Sequence, residues 1–179
     1  MLNMAKSIIN VWNKFSDDEK QTIAQLLEEC KGPIEVELVK LSPSAQMPSQ
    51  GSTWAAGWDL YADLEGADHL SLAPGEYRKI STGIAIALPE NTFGAVYPRS
   101  GMATKRGLVL ANSTGIIDAD YRGCLIVALK NTSNELQMIK HGERIAQLVV
   151  QPYIPVVFKQ TESIGTTARG EGGFGSTDK

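Results

Sequence analysis

The stretch Ile34-Glu35-Val36-Glu37-Leu38-Val39 is where the sequence changes its period. Ile34, Val36 and Leu38 alternate with Glu35, Glu37 and Val39, which predicts a half-buried strand. Downstream the same texture continues. Strands are expected at Trp58 to Ala62, Gly83 to Leu88, Phe93 to Tyr97, Leu108 to Ala111, Cys124 to Lys130, Arg144 to Val150 and Ile154 to Phe158. Turn signals separate them: Ser42-Pro43, Pro74-Gly75, Pro89-Glu90-Asn91, Ser100-Gly101 and His141-Gly142. Many short strands without intervening helices predict an all-β core, as a sandwich, jelly roll or barrel.

Upstream the period is helical. Met4, Ile8, Val11, Trp12 and Phe15 recur at three- and four-residue steps, and Ser16-Asp17-Asp18-Glu19 fits a capping box opening a second helix. Ile23, Leu26, Leu27 and Cys30 form that helix's apolar face before Lys31-Gly32-Pro33 ends it. Residues 1–33 therefore read as a helical hairpin, 34–160 as the β core and 161–179 as a mobile Gly-rich tail. Net charge is 17 − 20 = −3 over 179 residues, so no basic footprint favours nucleic acid or an anionic membrane. No apolar run approaches the roughly 18 residues of a bilayer span, and Asp17-Asp18-Glu19 follows the first apolar patch too soon for a signal peptide. Two cysteines and two histidines, with no C-x-x-C, predict no zinc site and reduced thiols in a cytosol-like compartment.

Three polar stretches interrupt the strands. Pro98-Arg99-Ser100-Gly101 offers a cation, a hydroxyl and a free amide, an anion contact or simply a turn. Gly115-Ile116-Ile117-Asp118-Ala119-Asp120-Tyr121-Arg122-Gly123 sets two carboxylates and a tyrosine between apolar strands. It is either a polar hairpin loop or a general base held beside a flat ring. Arg169-Gly170-Glu171-Gly172-Gly173-Phe174-Gly175-Ser176-Thr177 has the amide-rich composition of a phosphate cradle, but no Lys precedes Ser176, so it is not a Walker A loop. A plain floppy tail leaves the lone Phe174 without a reason. Met47, Met102 and Met138 read as core or loop filler, Trp12 and Trp54 as packing anchors, and Arg144 as a structural ion-pair member.

Taken in order, these stretches resemble the five motifs of the homotrimeric dUTPase family. The motifs are Ala56-Gly57-Trp58-Asp59-Leu60, Arg99-Ser100-Gly101-Met102-Ala103, Asn112 through Gly123, Gly142-Glu143-Arg144-Ile145-Ala146-Gln147-Leu148, and Arg169 to Thr177. The resemblance runs from about Ile34 to Thr177, with Trp58 where the family generally has Tyr or Phe. Residues 1–33 have no counterpart in the family's minimal form. It implies a jelly-roll-like β-barrel forming a homotrimer, and hydrolysis of dUTP to dUMP and pyrophosphate. Asp118 matches the catalytic aspartate that activates water. Mg²⁺ is implied as cofactor, held mainly by substrate phosphates and water, with Asp59 reaching it through water. Arg99, Ser100, Gly101 and Gln147 match phosphate contacts, joined by Arg169, Ser176 and Thr177 on the tail. Asn112, Gly115, Ile116, Ile117 and Ile126 match the uracil slot, Tyr121 the ring under deoxyribose, and Phe174 the stack over the base. Each site is expected to combine motifs from several subunits. The implied setting is the cytoplasm, or the host's if the gene belongs to a phage.

Two rivals share the resemblance. A dCTP deaminase would need a glutamate on the return strand, and Leu125 to Leu129 carries none. A dUTPase-like regulatory binding protein would use residues 1–33 to dock a protein partner, but its motifs need not stay intact.

Overall fold

The computed structural model describes residues 11–29 and 32–173. The first helix of the expected N-terminal hairpin falls largely on residues 1–10, outside the described residues. The second is α1, Asp17–Glu29. Its capping box forms as the sequence predicts: the Ser16 N–H donates to the Glu19 carboxylate at 2.7 Å and the Glu19 N–H to the Ser16 hydroxyl at 3.2 Å. Those bonds hold the Glu19 carboxyl below its ordinary range.

Among the described residues twelve strands follow: β1 Glu37–Lys40, β2 Ser49–Gln50, β3 Trp58–Tyr61, β4 His69–Leu72, β5 Tyr77–Ser81, β6 Ile84–Ala87, β7 Thr92–Tyr97, β8 Leu108–Leu110, β9 Gly115–Ile117, β10 Ile126–Asn131, β11 Gln137–Lys140 and β12 Arg144–Pro152. One short helix, α2, Ser100–Arg106, lies between β7 and β8. All pairings are antiparallel. The largest sheet runs β2-β3-β12-β7-β9, and a second runs β5-β10-β8; β1 pairs with β6 and β11 with β4. The fold is mostly β, around one core. Leu60 of β3, Ile84 of β6, Val127 and Leu129 of β10, and Ile145 and Leu148 of β12 meet there at 4% exposure or less.

Several expectations shift. Ile34 to Val36 precede the ladder, which begins at Glu37. Ser100-Gly101 opens α2 rather than a turn; Gly107, with φ 66°, closes that helix in the left-handed conformation. Ile154 to Phe158 forms no strand, and Ile154, Val156, Val157 and Phe158 stand 71–97% exposed. Pro155 has no N–H to donate to a ladder, and no described strand pairs with this segment. Trp54 is no packing anchor: it is 94% exposed, whereas Met102 is buried.

Candidate active site

The Asn112–Gly123 stretch departs from a simple hairpin. β8 and β10 pair with each other, but the chain between them detours into the other sheet, where β9 pairs with β7. Glycine makes that detour fit. A Cβ on Gly115 would press on the Val96 side chain at 3.2 Å, and one on Gly94 would meet Leu148 at 2.9 Å. Where β9 peels away from β10, a cavity of about 260 Å³ opens between the two sheets. Asn112, Gly115, Ile116, Ile117, Asp118, Tyr121 and Ile126 all line it. Every residue expected to hold base and sugar is there, apart from Phe174, which lies outside the described residues.

The lip of the cavity is braced from within. The Tyr121 N–H donates to the Asp118 carbonyl at 3.1 Å, closing a turn that leaves Asp118 exposed. Arg122 donates to the Ala119 and Tyr121 carbonyls at 2.6 and 3.0 Å. The Tyr121 hydroxyl donates to the Cys124 carbonyl at 3.0 Å, folding the ring over Gly123. A Cβ there would lie 2.6 Å from the ring carbon Cζ, so only glycine lets the ring lie flat. Ser113, with φ 61°, is a non-glycine in the left-handed region at the same mouth. Cys124 also lines the cavity, a residue the motif comparison overlooked. Its parity with Ile126 along the chain was the available signal.

A second cluster forms on the β3–β12–β7 sheet. Asp59 pairs in register with Gln147, and Gln147 with Tyr97, which brings the first, second and fourth motifs side by side. Asp59 is 7% exposed and accepts from Arg99 Nε at 2.7 Å and Arg144 Nη1 at 3.1 Å. Gln147 donates to the Pro98 carbonyl at 3.0 Å, and a Cβ on Gly57 would run into its side chain. Ser100 and Gly101 are exposed at the first turn of α2. Arg144 is an ion-pair member, as its sequence context predicts.

The two clusters share no residue. None of Asp59, Arg99, Ser100, Gly101 or Gln147 lines the hairpin cavity. Arg169 donates to the Gly172 carbonyl at 2.9 Å, and Ser176 and Thr177 lie outside the described residues. Neither histidine joins the site: His141 Nδ1 accepts the Leu64 N–H at 3.1 Å, and His69 opens β4. Among the described residues no group of three or more His, Cys, Asp or Glu gathers to hold a metal, and no helix is long and apolar enough to cross a membrane.

Comparisons with known proteins agree with this geometry. The dUTPase family model matches residues 43–178. Deoxyuridine 5'-triphosphate nucleotidohydrolases of Corynebacterium glutamicum and Desulfitobacterium hafniense are each 43% identical over 145 residues, which is 80% of this chain and 95% of theirs. A mutant dUTPase of Staphylococcus bacteriophage 80alpha, solved with dUpNHpp, superposes with a TM-score of 0.72 at 32% identity, covering 80% of this chain and 98% of that one. A mutant dUTPase from phage phi11 of S. aureus, described for its coordination of a structural Mg(II) ion, gives 0.65 at 28% identity, covering 74% and 99%. The chain belongs to the dUTPase family.

Proposed function

We propose that the protein hydrolyses dUTP to dUMP and pyrophosphate, keeping uracil out of DNA and supplying dUMP for dTTP synthesis in the cytoplasm. One observation carries this reading: the inter-sheet cavity collects the uracil and deoxyribose positions of the family and sets Asp118 at its lip. Asp118 orients a water and takes its proton as the oxygen attacks the α-phosphorus in line with the departing pyrophosphate. Asn112 and the backbone of Gly115 to Ile117 pair with the uracil edge. Cytosine then leaves buried groups unpaired, and the narrow slot excludes thymine's methyl. The Tyr121 ring supports deoxyribose and blocks a 2'-hydroxyl.

Arg99, Ser100, Gly101 and Gln147 take the phosphates. The Asp59 carboxylate would reach, through water, a magnesium ion brought in by the substrate. Both its oxygens already accept from guanidinium groups, so it is suited to hold a metal-bound water rather than the ion itself. When bound, Mg²⁺ neutralises charge on the triphosphate. Arg169, Ser176 and Thr177 close on the terminal phosphate and Phe174 on the base.

We further propose that the working unit is a homotrimer in which one copy's cavity faces another copy's phosphate cluster. The separation of the clusters supports this, as does unmet apolar surface at two places. The Ile154–Phe158 arm is exposed, and a groove of about 320 Å³ is lined by Ile34, Val36, Leu38, Met47, Trp58 and Ile86 among others. Residues 1–33 are an appendage outside the chemistry. Pyrophosphate release from a panel of dNTPs and UTP with Mg²⁺ tests the reading. Hydrolysis confined to dUTP is expected, and equal action on dTTP or UTP would remove the pocket argument.

A further inference from the structure

Arg106, the last residue of α2, has every guanidinium nitrogen engaged. Nε donates to the Gln137 side chain at 3.0 Å, Nη2 to the Met138 carbonyl on β11, and Nη1 pairs with the Glu143 carboxylate. The other Glu143 oxygen accepts the Lys140 N–H at 2.9 Å and closes the turn into β12. The two side chains are 29% and 24% exposed, so the pair is better shielded than an ordinary surface ion pair. The residue after Glu143 is Arg144, which donates to Asp59, and Asp59 in turn holds Arg99 at the head of α2. Both ends of α2 are thus tied to the start of β12 through guanidinium and carboxylate groups.

The helix needs such ties. It has seven residues, buries only Met102 and lacks a side-chain bond at its N-cap. A helix this short has little stability of its own, so its position follows from what anchors it.

We infer that Arg106 is a positioning residue for the triphosphate: pinned to Glu143, it fixes the axis of α2 so that Arg99, Ser100 and the Gly101 amide stand beside Gln147. This rests on the phosphate role proposed for the first turn of α2. Arg106 is far along the helix from the groups that touch phosphate, and its fork geometry sets the helix rather than the substrate.

Steady-state kinetics of the full-length Arg106→Ala, Arg106→Lys and Glu143→Gln variants with dUTP and Mg²⁺, alongside inhibition by dUMP, test this. Arg106→Ala should raise KM for dUTP about tenfold, with kcat and the inhibition constant for dUMP within about twofold of wild type. Arg106→Lys should recover part of the loss, since it keeps the charge towards Glu143 but not the fork. Glu143→Gln should show the same split, and combining it with Arg106→Ala should add little, as for two residues of one contact. A folded Arg106→Ala with wild-type KM overturns the inference, as does equal weakening of dUTP and dUMP. If Arg106→Ala fails to fold, Glu143→Gln decides on the same criteria. Arg99→Ala separates the two levels: a raised KM there with none in the Arg106 and Glu143 variants rejects the pin alone. No rise in any of them rejects the phosphate role of α2.

Discussion

Asp118 is exposed at the lip of the cavity, while the groups proposed to grip a nucleotide lie elsewhere, in the cavity wall and on α2. Removing its charge should therefore separate chemistry from binding. Asp118→Asn is expected to lose about 10²–10⁴-fold in kcat, as for loss of a general base, while calorimetry finds dUTP affinity largely kept. A near-normal kcat would assign the base elsewhere. Asp63 is a carboxylate of the opposite kind, at 3% exposure and committed to structure. It accepts from the Ser42 and Ser44 hydroxyls and the Glu65 N–H. Burial alone would push its carboxyl up, but these bonds, with His141 beside it, hold it below its ordinary range. A lowered folded-state value means the unfolded chain binds the proton more readily. Its stabilisation is thus complete above the ordinary aspartate value of about 3.9 and is lost as pH falls through the lowered one. Melting temperature followed from pH 7 to pH 3 should fall more steeply in wild type than in Asp63→Asn. The variant should already be destabilised at pH 7 by about 1–3 kcal/mol, the cost of leaving a buried group mispaired. Parallel pH curves would remove Asp63 from the acid response.

Among the elements, those that alternate or run apolar were legible: β3, β6, β7, β8, β10 and β12 all fall where the period of two predicts them. β5 and β11 were not, because Arg78-Lys79 and Met138-Ile139 break the alternation; β4 alternates but over only four residues, and the partners of all three are far away in sequence. β9 looked like a loop tip because its pairing to β7 depends on the glycines at 94 and 115 rather than on a run of its own. α2 was hidden by Ser100-Gly101, a turn signal at the start of a helix too short to display a period. The residues that line the cavity were legible through motif order. The braces, Arg122 on the turn and Arg106 on Glu143, were not, since a lone arginine carries no trace in sequence of which carbonyl or carboxylate it meets. The tail is the described segment with the least packing: residues 161–171 are all exposed. A chain stopped after Ala168 should keep its melting temperature and lose most turnover, with dUTP no longer protecting the remaining tail from proteases. Full activity in that truncation would refute the closing role of Arg169, Phe174, Ser176 and Thr177.

At the scale of the whole molecule, the proposed site is divided between two places on one chain. The cavity contains Asp118 and the residues proposed to hold uracil, and the β3–β12–β7 cluster has Arg99 and Gln147, proposed to hold phosphate. If a site forms only where copies meet, it draws Asp118 from one copy and Arg99 from another, and damage to the two residues should complement. Asp118→Asn and Arg99→Ala proteins, each strongly impaired alone at dUTP well below saturation, are expected to regain activity when unfolded together and refolded as mixed oligomers. With random mixing in equal amounts, a site is intact when its Asp118 comes from an Arg99→Ala copy and its Arg99 from an Asp118→Asn copy. That occurs at about a quarter of sites in a closed symmetric ring. Turnover should therefore approach a quarter of wild type, and it should vary with the ratio of the two variants as the product of their fractions. Simple mixing without refolding should give nothing if the exposed Ile154–Phe158 arms are buried in stable contacts between copies, since subunits then exchange slowly. A refolded mixture as inactive as its parents, in oligomers shown by mass to contain both chains, would place Asp118 and Arg99 of one site on the same chain and overturn the shared-site reading.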